Sequence, residues 1–167
     1  MFFCKIRHYL NQTQALTIYK SKILPYLEYG NVFIHNTNVD SLDKMQRLQN
    51  RGLRICFNAD PRTPIIRLHR LANLNFLSDR REFALSVLAY QHRNDEKWKD
   101  NSVSVTRIHD GPLLKQFRSN SRIFENSILM KSAKIWNALD IRLRNSPTIE
   151  EFKTSMKRRL SINLNQD

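Results

Sequence analysis

Glycine and proline are scarce, with three and five respectively in 167 residues. Sandwiches and barrels need a turn signal every ~8–12 residues. So little punctuation argues against them, and the expected fold class is all-α, a small multi-helix domain. Cys4 and Cys56 are the only cysteines, too few for a disulfide scaffold and ordinary for a reducing compartment. Nothing approaches the ~18 uncharged apolar residues that suggest a membrane span. The opening MFFC runs at once into Lys5, Arg7 and His8, so no apolar core of a secretory signal develops. The expected setting is intracellular, nucleus or cytoplasm, with no membrane partner.

Catalytic signatures are equally thin. No two aspartates are adjacent, so a paired-carboxylate motif for two catalytic metals is missing. Gly30, Gly52 and Gly111 stand too far apart to form a phosphate-cradling loop, and neither H-E-x-x-H nor G-x-S-x-G occurs. Cys4 and His8 could share a helical face, but two ligands do not close a zinc site. His35, His69, His92 and His109 read as isolated. We therefore assign no catalytic residue, no cofactor and no metal ligand, and expect no enzymatic activity from the chain by itself.

What the sequence does have is positive charge: 28 Lys and Arg against 15 Asp and Glu, a net +13. Bases outnumber acids in each of residues 1–60, 61–100 and 101–167, so the excess is distributed rather than confined to a tail. Such a balance fits a polyanion, because each neutralised phosphate releases condensed counterions.

Hydrophobic periodicity predicts about six helices, near 14–29, 41–57, 63–72, 79–93, 127–139 and 147–161. Leu16, Tyr19, Ile23 and Leu27 line the first, which Thr13 would cap. Pro25 should kink it or begin its last segment, and Gly30 suits a left-handed C-terminal position. Asn31 to Asn38 reads as a loop. In 41–57, Leu42, Met45, Leu48, Leu53 and Cys56 form the apolar side. Lys44, Arg47, Arg51 and Arg54 fall within an arc of about 80° on the opposite side. Thr63, with Pro64 at the first position, would cap a short helix carrying Ile65, Leu68 and Leu71. The fourth helix would turn Ala84, Val87 and Leu88 inward. Residues 100–123 carry weak periodicity, broken at Gly111-Pro112, and could hold a short extended or hairpin segment. Ile128, Ala133, Ile135, Trp136 and Leu139 mark the fifth helix. Ile149, Phe152, Met156 and Leu160 mark the sixth. The expected organisation is a helical region 1–93, an irregular linker 94–123 and a C-terminal helical region 124–167.

Residues 16–30, LTIYKSKILPYLEYG, resemble the "lYkslilPyLeYG" segment found just past the palm of reverse transcriptases from non-LTR retrotransposons, the jockey-like LINE elements. The family's following basic helix, "kLqrlQnralRi", is matched by LDKMQRLQNRGLRI at 42–55. A "tPi..Lh" pattern followed by "L..l..rr" resembles Thr63-Pro64-Ile65, Leu68-His69 and residues 75–81. Near the end, "WN.LP..iR" resembles Trp136-Asn137-Ala138-Leu139 with Ile141-Arg142, and "FK..lK..L" resembles Phe152-Lys153 and Met156-Lys157 to Leu160. Asp140 departs from the pattern by standing where proline is usual. The ordered set spans nearly the whole chain, whereas the family's fingers, palm carboxylates and endonuclease are not in it.

The resemblance implies the thumb and post-thumb region of an RNA-directed DNA polymerase, which holds template and primer. It implies RNA or an RNA–DNA hybrid as partner, and a separate polymerase chain as a further candidate. The residues expected to meet nucleic acid are Lys44, Arg47, Arg51 and Arg54, with Lys153, Lys157 and Arg158, next to Arg159, on the last helix. Tyr26 and Tyr29 could stack on bases, although aromatics beside a helix-ending glycine more often belong to a core. Phe124, Trp136 and Phe152 are expected in the core. Two alternatives stand beside this reading: a helical protein-interaction module, and a non-functional remnant of a truncated element.

Overall fold

The computed structural model describes residues 2–30, 39–98, 113–116, 121–125 and 127–162. The expected loop at 31–38, the Gly111-Pro112 break and most of the expected linker lie outside the described residues. Among the described residues the protein is helical, without strands. The all-α expectation is met. No helix among them is long and apolar enough to cross a membrane.

The chain opens with α1 (Phe2–Ile6) and a 3₁₀ turn (Arg7–Tyr9). A bent rod follows: α2 (Gln12–Ile18), a π-helical turn (Tyr19–Ile23) and α3 (Leu24–Glu28). Asn11, not Thr13, is the N-cap, because Asn11 and Gln14 form a reciprocal capping box of side-chain and backbone bonds. The π turn answers Pro25. A proline has no N–H for the carbonyl four residues back, and its ring crowds that carbonyl. Widening the preceding turn, with Leu24 N–H reaching Tyr19 O, carries the helix past the obstacle. Gly30 has φ +67°, in the left-handed region, as its position suggests.

Next come α4 (Val39–Phe57) and α5 (Ile65–Ala72). The first begins two residues earlier than the periodicity indicates, bringing Asp40 into its first turn, where an acid suits the helix dipole. Asn58 and Asn73 follow these helices with left-handed φ of 47° each. Asparagine tolerates this conformation better than other side chains. Pro64 occupies the N-cap position of α5 and makes no side-chain cap bond, so the cap expected from Thr63 is not formed. Leu71 points outward, at 58% exposure.

Two cations hold helix ends in this half. The Arg7 guanidinium donates to Ile55 O, Cys56 O and Leu10 O, each at 2.7 Å. Lys20 Nζ donates to Ala72 O at 2.6 Å. Each places positive charge where a helix leaves its last carbonyls unpaired.

α6 (Leu77–His92) spans the molecule. At its N-terminal end Leu77 joins the first core, with Phe3, Ala15, Tyr19, Leu24, Leu53, Cys56, Leu68, Ala72 and Leu74. At the other end Ala89 and Tyr90 join the second, with Leu114, Ala133, Trp136, Leu139, Phe152, Met156 and Leu160. Because α6 is packed on several sides, no single stripe describes it. Leu85, Ser86 and Ala89 are buried, whereas Ala84, Val87 and Leu88, expected inside, are only half-buried.

The second core is completed by α8 (Ile128–Asn137), α9 (Ile141–Arg144) and α10 (Ile149–Ile162), with the short α7 (Arg122–Glu125) lying against α8. Tyr90 stacks on Phe152 at 4.7 Å between ring centroids and meets Trp136 edge-on at 6.2 Å. Trp136 and Phe152 are fully buried, but Phe124 lies at the surface, 40% exposed. Asp140 caps α9 by accepting Arg142 N–H at 2.9 Å. It starts a helix where proline would start one by fixed φ, so the departure from the resembled pattern keeps the local structure. Leu114 is pinned from both sides by Asn137: its N–H meets Oδ1 at 3.0 Å and its carbonyl meets Nδ2 at 2.9 Å. Of the 100–123 segment expected to hold an extended or hairpin piece, the described residues 113–116 are non-helical, whereas Arg122 and Ile123 already belong to a helix.

Candidate nucleic-acid interface

α4 sits between the first core and solvent, packing on α2, α3, α5 and α6. Its inner face consists of Gln49, Gly52, Leu53 and Cys56, all buried. The close fit at Gly52 comes from Tyr19, whose ring atom Cε2 lies 2.3 Å from the place a Cβ would take. Tyr19 is fully buried, its hydroxyl has no hydrogen-bond partner among the described residues, and burial pushes its pKa well above the ordinary range. Beside it, Glu28 of α3 and Arg80 of α6 form an ion pair. Burial also pushes the Cys56 thiol up to about 11, against the opposing pull of Arg7. It is a protonated core group at neutral pH.

Leu48, which the periodicity places inside, is 47% exposed, and Gln49 is inside instead. The reason is a buried polar network. Gln49 Nε2 donates to Asn75 O at 3.1 Å, and Gln46 Nε2 donates to Gln49 Oε1 at 2.7 Å and Asn50 Oδ1 at 2.9 Å. Gln46 Oε1 accepts the Leu77 N–H that opens α6, at 2.9 Å. His69 of α5 lies at the centre, fully buried: Nδ1 is 2.7 Å from Leu74 O, and Nε2 is 3.1 Å from Asn50 Oδ1. Phe76 covers its ring at 4.1 Å. Burial lowers the His69 pKa, favouring the neutral ring. His69 is thus not isolated; it locks three helices into one arrangement. The sequence signal was present in the Gln-x-x-Gln-Asn spacing, which places amides at i, i+3 and i+4 on one helical side.

Opposite this network run the predicted cations. Lys44, Arg47 and Arg51 are exposed and make no ion pair or side-chain hydrogen bond among the described residues. Arg54 ends the row differently: it is half-buried, and its Nε is shielded from solvent without a partner among the described residues. Neighbouring like charges at i,i+3 and i,i+4 each destabilise a helix by ~0.2–0.5 kcal/mol. The row therefore strains α4 slightly, and Asp40 and Asp43, four residues before Lys44 and Arg47 on the same helix, offset part of this.

Tyr26 and Tyr29 are 83% and 85% exposed, so the expectation of core aromatics is corrected. The side of the bent rod occupied by Leu24 faces α4, which leaves these two rings free on the solvent side. The cations of the last helix do not form one patch. Lys153 is half-buried and pairs with Glu150 at 3.0 Å, and Lys157 Nζ lies 5.9 Å from the Phe83 ring centroid. Arg158 and Arg159 leave α10 on its other flank. At about 100° per residue, Arg158 lies about 100° around the helix from Lys157. Linear clustering suggested one group; the helical turn splits it.

His8 is exposed, and among the described residues no cluster of three metal-binding side chains occurs. No protein-family model, curated protein or solved structure matches the chain. The likeness to non-LTR reverse transcriptases rests on the ordered sequence patterns alone.

Proposed function

We propose that this chain is a nucleic-acid-binding helical module, the thumb-side region of a non-LTR retrotransposon reverse transcriptase, acting on RNA or an RNA–DNA hybrid. The observation that carries the reading is the row Lys44, Arg47 and Arg51: exposed, of one sign and unpaired among the described residues, on a helix whose opposite face is locked into the core. At 1.5 Å per residue the row spans about 10 Å, enough to meet successive phosphates. The contacts read charge rather than base sequence. Tyr26 and Tyr29 supply exposed rings for stacking on unpaired bases. The same two tyrosines, with Leu71, favour the second reading, a protein-interaction module docking on a separate polymerase chain.

The test is a salt titration of binding to an RNA–DNA hybrid duplex, comparing the parent with K44Q/R47Q/R51Q. The variant should keep its helical circular dichroism, bind more weakly, and show a flatter salt dependence by up to about one slope unit per lost contact. Equal affinity across the titration would reduce the row to a solvated face. The chain alone should extend no primer with Mg²⁺ or Mn²⁺, since no two aspartates in it are adjacent to hold a pair of metals as a polymerase palm does. Incorporation abolished by an aspartate substitution would overturn that part.

A further inference from the structure

A cleft of about 830 Å³ opens between α9 and the flank of α10, floored by Leu139 and Leu143. Its walls carry Arg142 from α9, and Ser155, Arg158 and Arg159 from α10. The i, i+3, i+4 spacing of the last three puts them on one side of the helix. A second cleft, of about 510 Å³, shares Arg142, Ser155 and Arg158 and continues past Asn145 and Thr154. Arg142, Arg158 and Arg159 are exposed, and none makes a side-chain hydrogen bond or ion pair among the described residues. The one carboxylate lining the larger cleft, Asp140, already accepts the Arg142 N–H as the cap of α9. Two carboxylates line the smaller cleft: Glu150 is paired with Lys153, and Glu151 is exposed and makes no ion pair among the described residues.

We infer that this cleft binds a single-stranded polynucleotide, with a phosphate held among the three guanidinium groups and a base laid over the Leu139–Leu143 floor. Three planar donor forks from two elements, against the single carboxylate of Asp140 in the larger cleft, match a phosphate and exceed what one carboxylate needs. An apolar floor beside them matches a ring attached to that anion, and the volume lies within the ~300–1,000 Å³ usual for such ligands. Continuation into the second cleft gives an extended strand a path that a lone nucleotide would not use. A concave site of this kind admits a flexible strand, whereas the convex row on α4 suits a duplex backbone. The inference goes beyond the reading of α4 and stands on different residues.

The experiment measures fluorescence anisotropy of a labelled oligouridylate, and separately of a labelled uridine monophosphate, with the full chain. R142Q/R158Q/R159Q is compared with K5Q/K22Q/K97Q, which removes the same charge from exposed lysines elsewhere. S155Y fills the shared wall without changing charge and keeps the test valid if the arginine variant does not fold. The cleft variant and S155Y should each weaken strand binding at least tenfold relative to the lysine control, while K44Q/R47Q/R51Q chiefly affects duplex binding. Equal losses in the cleft and lysine variants would mean charge without a site, and overturn the inference. Displacement of the strand by polyglutamate as readily as by unlabelled oligouridylate would point to an acidic peptide and overturn it as well. Mononucleotide binding as tight as the strand would overturn the strand assignment. If only the α4 variant matters, the cleft falls and the proposed function stands; if only the cleft variants matter, the role of α4 falls instead.

Discussion

Replacing Arg7 by methionine removes a charged fork from the end of α4 while keeping a stem of similar length to pack. Three short bonds disappear, to Ile55 O, Cys56 O and Leu10 O, all at 2.7 Å. Hydrogen bonds to charged groups contribute ~1.5–3 kcal/mol each. The full sum is not expected, because Leu10 and Ile55 are half-buried and their carbonyls can turn toward water. Cys56 is fully buried, so its carbonyl is the one left without replacement. The dipole contribution at the helix end adds ~0.3–1 kcal/mol. The expected loss is therefore about 2–4 kcal/mol, read as a lower denaturation midpoint with an unchanged slope. Arg7→Lys keeps the charge but lacks the planar fork that reaches three carbonyls at once, and should recover about half. Amide exchange should accelerate first in the last turn of α4. A methionine variant within about 0.5 kcal/mol of the parent, the range of ordinary surface changes, would refute the reasoning.

His69 gives a pH dependence of definite sign. Its unfolded pKa is about 6.5, and its folded pKa is lower because of burial. Between these values the unfolded chain holds the extra proton, so stability falls as pH drops below about 6.5 and levels once the folded ring titrates. Burial raises Asp79, which works in the opposite direction in a more acid range. H69Q should lose the limb that begins as pH falls through about 6.5, and parallel stability curves for parent and variant would disprove it. N137A should leave the Leu114 N–H and carbonyl unpaired in a site where Leu114 is 1% exposed. A loss of about 2 kcal/mol or more follows, checked by denaturation and by exchange at the Leu114 amide. An unchanged exchange rate there would mean that Asn137 does not hold the segment.

The helices were legible because their apolar spacings are regular: Ile149, Phe152, Met156 and Leu160 read correctly as the inner side of α10. Periodicity failed where a polar group was buried for a reason remote in sequence. Leu48 and Gln49 are neighbours, and hydrophobicity alone chooses the leucine. What decides is Asn75 O, 26 residues away, waiting for the Gln49 amide. The row on α4 was legible because a single helix sets its geometry, except that tertiary packing half-buries Arg54. The cleft was not legible, since Arg142 and Arg158 meet only through the turn between α9 and α10. Tyr26 and Tyr29 were misread because burial near a glycine is a tendency, whereas the bend at Pro25 fixes which side of the rod faces α4.

The continuity of α6 bears on how a ligand would experience the two ends of the molecule. Sixteen residues make a stiff rod of about 24 Å. The core behind the α4 row grips one end, and the core behind the α9–α10 cleft grips the other. A template with a duplex part and a single-stranded part would meet two anchors held at a set separation, not two modules on a slack tether. Its second contact would be an intramolecular event at high effective concentration. Avidity would then depend on the length of the unpaired stretch, favouring strands that match the rod and penalising those too short to reach.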